Sequence, residues 1–191
     1  RKLSYQNITR KIILLVKFIL SSIKKPNSNT KPVLLLGHGR SGTDIVLHLF
    51  QRDFRLEALG EVSKAMDKYR LKLGSYEHFV NISVAEVFLV KSVHDPFIVE
   101  HVLHDNNRIV LWMYRNYKDQ INSRINHSQF EYCDFIRDFI IHGKKGNWYA
   151  DNIPEGIVKE IKKLDIESFS NLDWLGLLWW SVHYTVLHYN L

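Results

Sequence analysis

The chain has 191 residues, 46% of them hydrophobic and 24% charged, a globular balance that excludes wholesale disorder and suffices to bury one full core. A single cysteine, Cys133, excludes an intrachain disulfide and a cysteine-based zinc site. Lysine and arginine number 26 against 20 acidic residues, and the net charge of +6 favours anionic partners: nucleotides, acidic glycans, nucleic acid or a membrane surface.

In chain order, residues 3–25 are predicted to form a helix. Arg10, Lys17, Ser21 and Lys24 share a narrow stripe, and Ile8, Ile12, Leu15, Ile19 and Ile23 mark the opposite, apolar face. The expectation is a helix whose apolar face packs on the following domain. The alternative is a basic amphipathic helix in peripheral contact with an anionic membrane. No stretch reaches the roughly 18–20 apolar residues of a membrane span, because Lys17 interrupts Ile12 to Leu20. The chain opens on Arg1, so residues upstream are expected. Pro26 to Thr30 reads as a polar linker, which divides the chain into a helix and linker (1–30) and an α/β domain (31–191).

Val33 to Leu36 is a continuous apolar run between Pro32 and Gly37, the pattern of a strand buried on both faces. A helix is predicted over Thr43 to Gln51, a short strand over Phe54 to Ala58 and a helix over 62–72. Two further strands are predicted over Val84 to Val90 and Arg108 to Tyr114, and a helix over Asn116 to His127. Strand, loop and helix in repetition imply a parallel sheet in a three-layer α/β fold. Residues 142–155 read as a loop and 156–169 as a charged surface helix. Leu172 to Tyr189, with Trp174, Trp179, Trp180, Tyr184 and Tyr189, is apolar nearly all round and reads as a buried helix.

The segment Gly37-His38-Gly39-Arg40-Ser41-Gly42-Thr43 leaves a buried strand and opens a helix. Glycines permit a tight turn, and a helix N-terminus supplies N–H groups and a favourable dipole, so the segment suits a phosphate. Ser41 and Thr43 add hydroxyls and Arg40 a fixed charge. The nucleotide-triphosphatase loop carries lysine directly after its last glycine, where this chain has Thr43. A magnesium-dependent kinase or ATPase is disfavoured for that reason. A second anion site is suggested at the end of the third main strand, where Arg115 is followed eight residues later by Ser123, about two helical turns on.

The two sites together resemble the sulfotransferases that use 3′-phosphoadenosine-5′-phosphosulfate (PAPS). The resemblance covers roughly residues 32–127, and more loosely 172–189. It implies that Gly39, Arg40, Ser41, Gly42 and Thr43 bind the 5′-phosphosulfate, and Arg115 and Ser123 the 3′-phosphate. Arg115-Asn116-Tyr117-Lys118-Asp119 is similar to the family's Arg-Asn/Asp-Pro-Lys/Arg-Asp segment, with Tyr117 in place of proline. The strand that follows the Trp-rich helix in the family lies beyond Leu191, so the expected fold is a P-loop-like domain incomplete at its C-terminal end.

The resemblance further implies sulfuryl transfer from PAPS to an acceptor hydroxyl, on a carbohydrate or glycolipid, without metal. Arg40 is the candidate for steadying the leaving phosphate. Glu61, just after the second strand, resembles the base of the carbohydrate branch. His94 resembles the base of the cytosolic branch, with one residue too many after Lys91. Glu61 is preferred. Lys91 is either a contact to the sulfonate or a surface lysine at a strand end. No histidine set has ligand spacing, and the dispersed basic residues do not form a nucleic-acid face. The alternatives are a P-loop kinase or ATPase and a non-catalytic nucleotide-binding remnant. The expected location is cytoplasmic, with membrane association through residues 3–25.

Overall fold

The computed structural model describes residues 12–13, 15–17, 19, 23–53, 55–61, 66–67, 70–71, 73–92, 108–127, 131–144 and 153–188. Its elements in chain order are β1 (Lys31–Gly37), α1 (Thr43–Arg52), β2 (Leu56–Leu59), β3 (Met66–Asp67), β4 (Arg70–Leu71), α2 (Leu73–Ile82), β5 (Val87–Ser92), β6 (Ile109–Met113), α3 (Tyr117–Asn126), α4 (Glu131–His142), α5 (Glu155–Ile161) and α6 (Asn171–His188). A 3₁₀ turn, Ile166–Ser168, precedes α6.

The main sheet is wholly parallel, in the order β2-β5-β1-β6. β1 lies inside it, and its sequence explains why. Leu34 and Leu36 join Phe88, Val90 and Tyr76 in the core on one face, while Val33 and Leu35 join Leu47 and Leu89 under α1 on the other. A strand with no polar face fits only where both faces are covered. A separate cluster binds α4, α5 and α6 through Cys133, Ile136, Ile140, Ile157, Ile161, Trp174 and Leu178, and reaches the sheet at Trp112. The result is a layered α/β fold with the carboxyl ends of β1, β5 and β6 at one edge.

Several expectations need correction. In place of a helix over 62–72, the described residues form the antiparallel pair β3 and β4. The strand expected over Val84 to Val90 is β5, which starts at Val87. Upstream of it, the Ala85 carbonyl accepts from the Thr30 hydroxyl (2.7 Å) and the Asn27 amide (3.2 Å), so that stretch serves the linker. The helix expected over 156–169 ends at Ile161; it lies on the surface, with Glu155, Lys159 and Glu160 exposed and Ile157 and Ile161 buried on its inner side. Of the loop expected over 142–155, His142 still belongs to α4 and 145–152 lie outside the described residues. Helix α6 is buried over most of its circumference rather than all round: Trp174, Leu175, Leu177, Leu178, Ser181, Val182, His183 and Val186 are covered, and Leu172, Tyr184 and Leu187 are exposed.

The N-terminal helix meets the domain through Lys17, which belongs to the stripe expected to face away from it. Its described residues between 12 and 23 are helical. Lys17 Nζ donates to the carbonyls of Gln51 (3.1 Å) and Leu56 (2.6 Å), the first being one of the carbonyls a helix leaves open in its last turn. Burial lowers the Lys17 pKa, against the raising effect of Glu57 and Asp53. Ile12, Leu15, Ile19 and Ile23 are exposed. Among the described residues no helix is long and apolar enough to cross a membrane.

Candidate functional site

The turn between β1 and α1 is built by constraint. A Cβ at Gly37 would lie 2.7 Å from Ser41 Oγ and 3.0 Å from both the Met113 Cβ and carbonyl oxygen, so only glycine fits. The Ser41 N–H closes the turn on the His38 carbonyl at 3.0 Å. Arg40 then takes φ 72° and Gly42 φ 99°. Left-handed backbone suits glycine but costs an arginine about 1–2 kcal/mol, and such strain collects at binding sites. Ser41 and Thr43 are buried, and Ser41 Oγ has no hydrogen-bond partner among the described residues. The first N–H groups of α1 open onto the same turn.

The segment after β6 faces this loop. Asn116 caps α3, its side chain accepting from the Lys118 N–H at 2.9 Å. Tyr117 therefore stands at the first helical position, where proline is tolerated because no N–H partner is needed, and the departure from the family segment leaves the turn intact. The Trp179 indole N–H donates to the Arg115 carbonyl at 3.1 Å, holding the strand end against α6. Arg115 Nη1 donates to the Arg40 carbonyl (3.1 Å), and Arg40 Nε donates to Ser123 Oγ (3.0 Å). The residues assigned to two anion sites thus meet in one place, from segments some eighty residues apart.

Lys91, at the carboxyl end of β5, is 4% exposed, so the reading of it as a surface lysine is wrong. Its ammonium lies 2.6 Å from Asp44 Oδ1 and 3.2 Å from Glu61 Oε1. Glu61 is thereby placed beside the loop helix, with a buried cation between the two carboxylates. His94 lies outside the described residues.

Four contributors escaped the sequence reading: Asp44, His38, Gln120 and Arg124. The Gln120 amide donates to the Gly39 carbonyl. Arg124 Nη2 lies 3.4 Å from the same oxygen and 3.0 Å from His38 Nε2. A guanidinium only donates, so Nε2 is the acceptor and the imidazole proton sits on Nδ1. Burial, then the charge of Arg124 and the neighbouring His183, hold the His38 pKa well below its ordinary value. The signal available in the sequence was spacing: Gln120, Ser123 and Arg124 stand at i, i+3 and i+4 on one face of α3.

A groove of about 900 Å³ runs between α3 and α6, lined by Ile121, Ile125, Leu164, Phe169, Leu177 and Trp180, and no residue of the loop lines it. Among the described residues no group of three or more His, Cys, Asp or Glu could hold a metal ion. No family model matches the chain, and neither the curated proteins nor the solved structures give a match.

Proposed function

We propose that the chain is a PAPS-dependent sulfotransferase acting on an acceptor hydroxyl of a carbohydrate or glycolipid. The observation that carries the reading is the meeting of Arg40 with Ser123 and of Arg115 with the Arg40 backbone, which supports reading them as two neighbouring anion sites. One nucleotide with phosphates on both its 3′ and 5′ sides suits that pairing better than a nucleoside triphosphate does. The buried Ser41 hydroxyl, which has no hydrogen-bond partner among the described residues, suits a phosphate at this turn.

The donor supplies an activated sulfuryl group whose bond to the 5′-phosphate oxygen breaks on transfer. In this reading the Glu61 carboxylate takes the acceptor's proton as its oxygen attacks sulfur. Arg40, Ser41 and the first N–H groups of α1 receive the negative charge that grows on the leaving phosphate. Lys91 donates to the sulfonate oxygens, and Arg115 with Ser123 holds the 3′-phosphate and so fixes the donor's register. Fixed cations and N–H groups supply the field, as positioning and electrostatics do in phosphoryl transfer. The exposed row Ile12, Leu15, Ile19 and Ile23 supports peripheral membrane contact, tested by sedimentation with anionic vesicles, from which Leu15→Glu should release the protein.

Calorimetric titration tests the nucleotide assignment. Adenosine 3′,5′-bisphosphate should bind more tightly than magnesium-ATP, with an affinity that a chelator leaves unchanged. Tight magnesium-ATP binding with weak bisphosphate binding would overturn the reading in favour of a kinase or ATPase.

A further inference from the structure

Helix α3 turns one face to the loop, and each side chain on it meets a consecutive loop residue. Arg124 meets His38, Gln120 and Arg124 meet Gly39, and Ser123 meets Arg40. Gln120 and Arg124 are almost wholly buried, at 1% and 2% exposure, and Arg124 packs its guanidinium 4.5 Å from the centre of the Tyr132 ring. Neither can reach a ligand lying over the loop. Both converge on a single carbonyl, that of Gly39.

A trans peptide points its C=O and the following N–H in opposite directions, and the described residues contain no cis bond. With the Gly39 carbonyl drawn towards α3, the Arg40 N–H is directed away from that helix. The same fixed peptide precedes the left-handed Arg40, whose φ of 72° would otherwise relax. We infer that Gln120 and Arg124 are positioning residues that set the peptide orientation of the loop before an anion arrives. Arg124 does a second thing: its buried charge lies directly beneath the loop and raises the potential there. Gln120 contributes orientation alone. The inference rests on the reading of residues 37–43 as a phosphate cradle.

A positioning role is separated from a structural one by which phosphate it serves. Gln120→Met keeps the volume and removes the donor. It should weaken adenosine 3′,5′-bisphosphate about tenfold, the scale of one hydrogen bond, and leave adenosine 3′-phosphate within about twofold, since that nucleotide leans on Arg115 and Ser123. Arg124→Met should weaken the bisphosphate further, and Arg124→Lys should recover part of the loss. A merely structural role would lower both affinities alike, or only the melting temperature, and either result overturns the inference. If Gln120→Met does not fold, Gln120→Asn takes its place, with the same expected selectivity. Inorganic pyrophosphate distinguishes the two levels of failure. A wild-type protein that binds pyrophosphate but neither nucleotide ends the sulfotransferase reading, while the variants' pyrophosphate affinities still decide the role of Gln120 and Arg124. A protein that binds neither class overturns both.

Discussion

Arg40 combines a cost and a use. Its backbone is left-handed, its guanidinium bonds Ser123, and its carbonyl takes the Arg115 guanidinium. Glycine would remove the strain, and because the side chain is exposed little packing would be lost with it. Arg40→Gly should therefore melt at or above the wild-type temperature, and above Arg40→Ala, while losing turnover in both variants. An Arg40→Ala protein more stable than Arg40→Gly would show that the conformation is not strained. Glu61 answers to a different measurement. Glu61→Gln keeps the shape beside Lys91, so donor binding should hold within about twofold while turnover falls by about 10²–10⁴-fold, the scale of general-base catalysis. Undiminished turnover would remove Glu61 from the mechanism.

At the scale of elements, what could be read in advance was set by how one-sided each signal is. β1 was legible because Val33 to Leu36 are apolar on both faces, which leaves a single place for the strand. Helix α4 was not anticipated, although Cys133, Ile136 and Ile140 repeat at helical spacing with charged Asp134, Arg137 and Asp138 between them, the ordinary pattern of an amphipathic helix. The N-terminal helix shows a different limit. Periodicity says which residues share a face; the partner decides which face is used. Here two backbone carbonyls attract Lys17, and the row marked by Ile12, Leu15, Ile19 and Ile23 is left outside. On α3, Ser123 was legible from its distance to Arg115, whereas Gln120 and Arg124 were not, because their partner is a carbonyl 81 and 85 residues away.

Over the whole molecule, the strand order puts the turn after β1 beside the end of β6, where ligands collect in open parallel sheets. Behind that crevice lie two buried histidines, and they give the fold a pH dependence. His183 accepts from the Trp112 indole at 3.1 Å, and burial lowers its pKa from an ordinary 6.5 to about 4. The unfolded chain thus binds a proton that the native one refuses between those values, so stability is full above 6.5 and falls as pH drops towards 4. A shift of that size corresponds to something on the order of 3 kcal/mol, and His38 adds in the same direction. Melting temperatures from pH 7 to pH 4.5 should fall more steeply in the wild type than in His183→Gln, which keeps an acceptor for Trp112. Parallel curves would exclude His183 as a source. The central claim, that one nucleotide spans both anion sites, is tested most directly by the affinity ratio of adenosine 3′,5′-bisphosphate to adenosine 5′-phosphate, in the wild type and in Arg115→Ala. A charge-assisted hydrogen bond is worth about 1.5–3 kcal/mol, so the wild type should favour the bisphosphate by roughly ten- to a hundredfold and the variant should lose that preference. Equal affinity for the two nucleotides in the wild type would contradict the account.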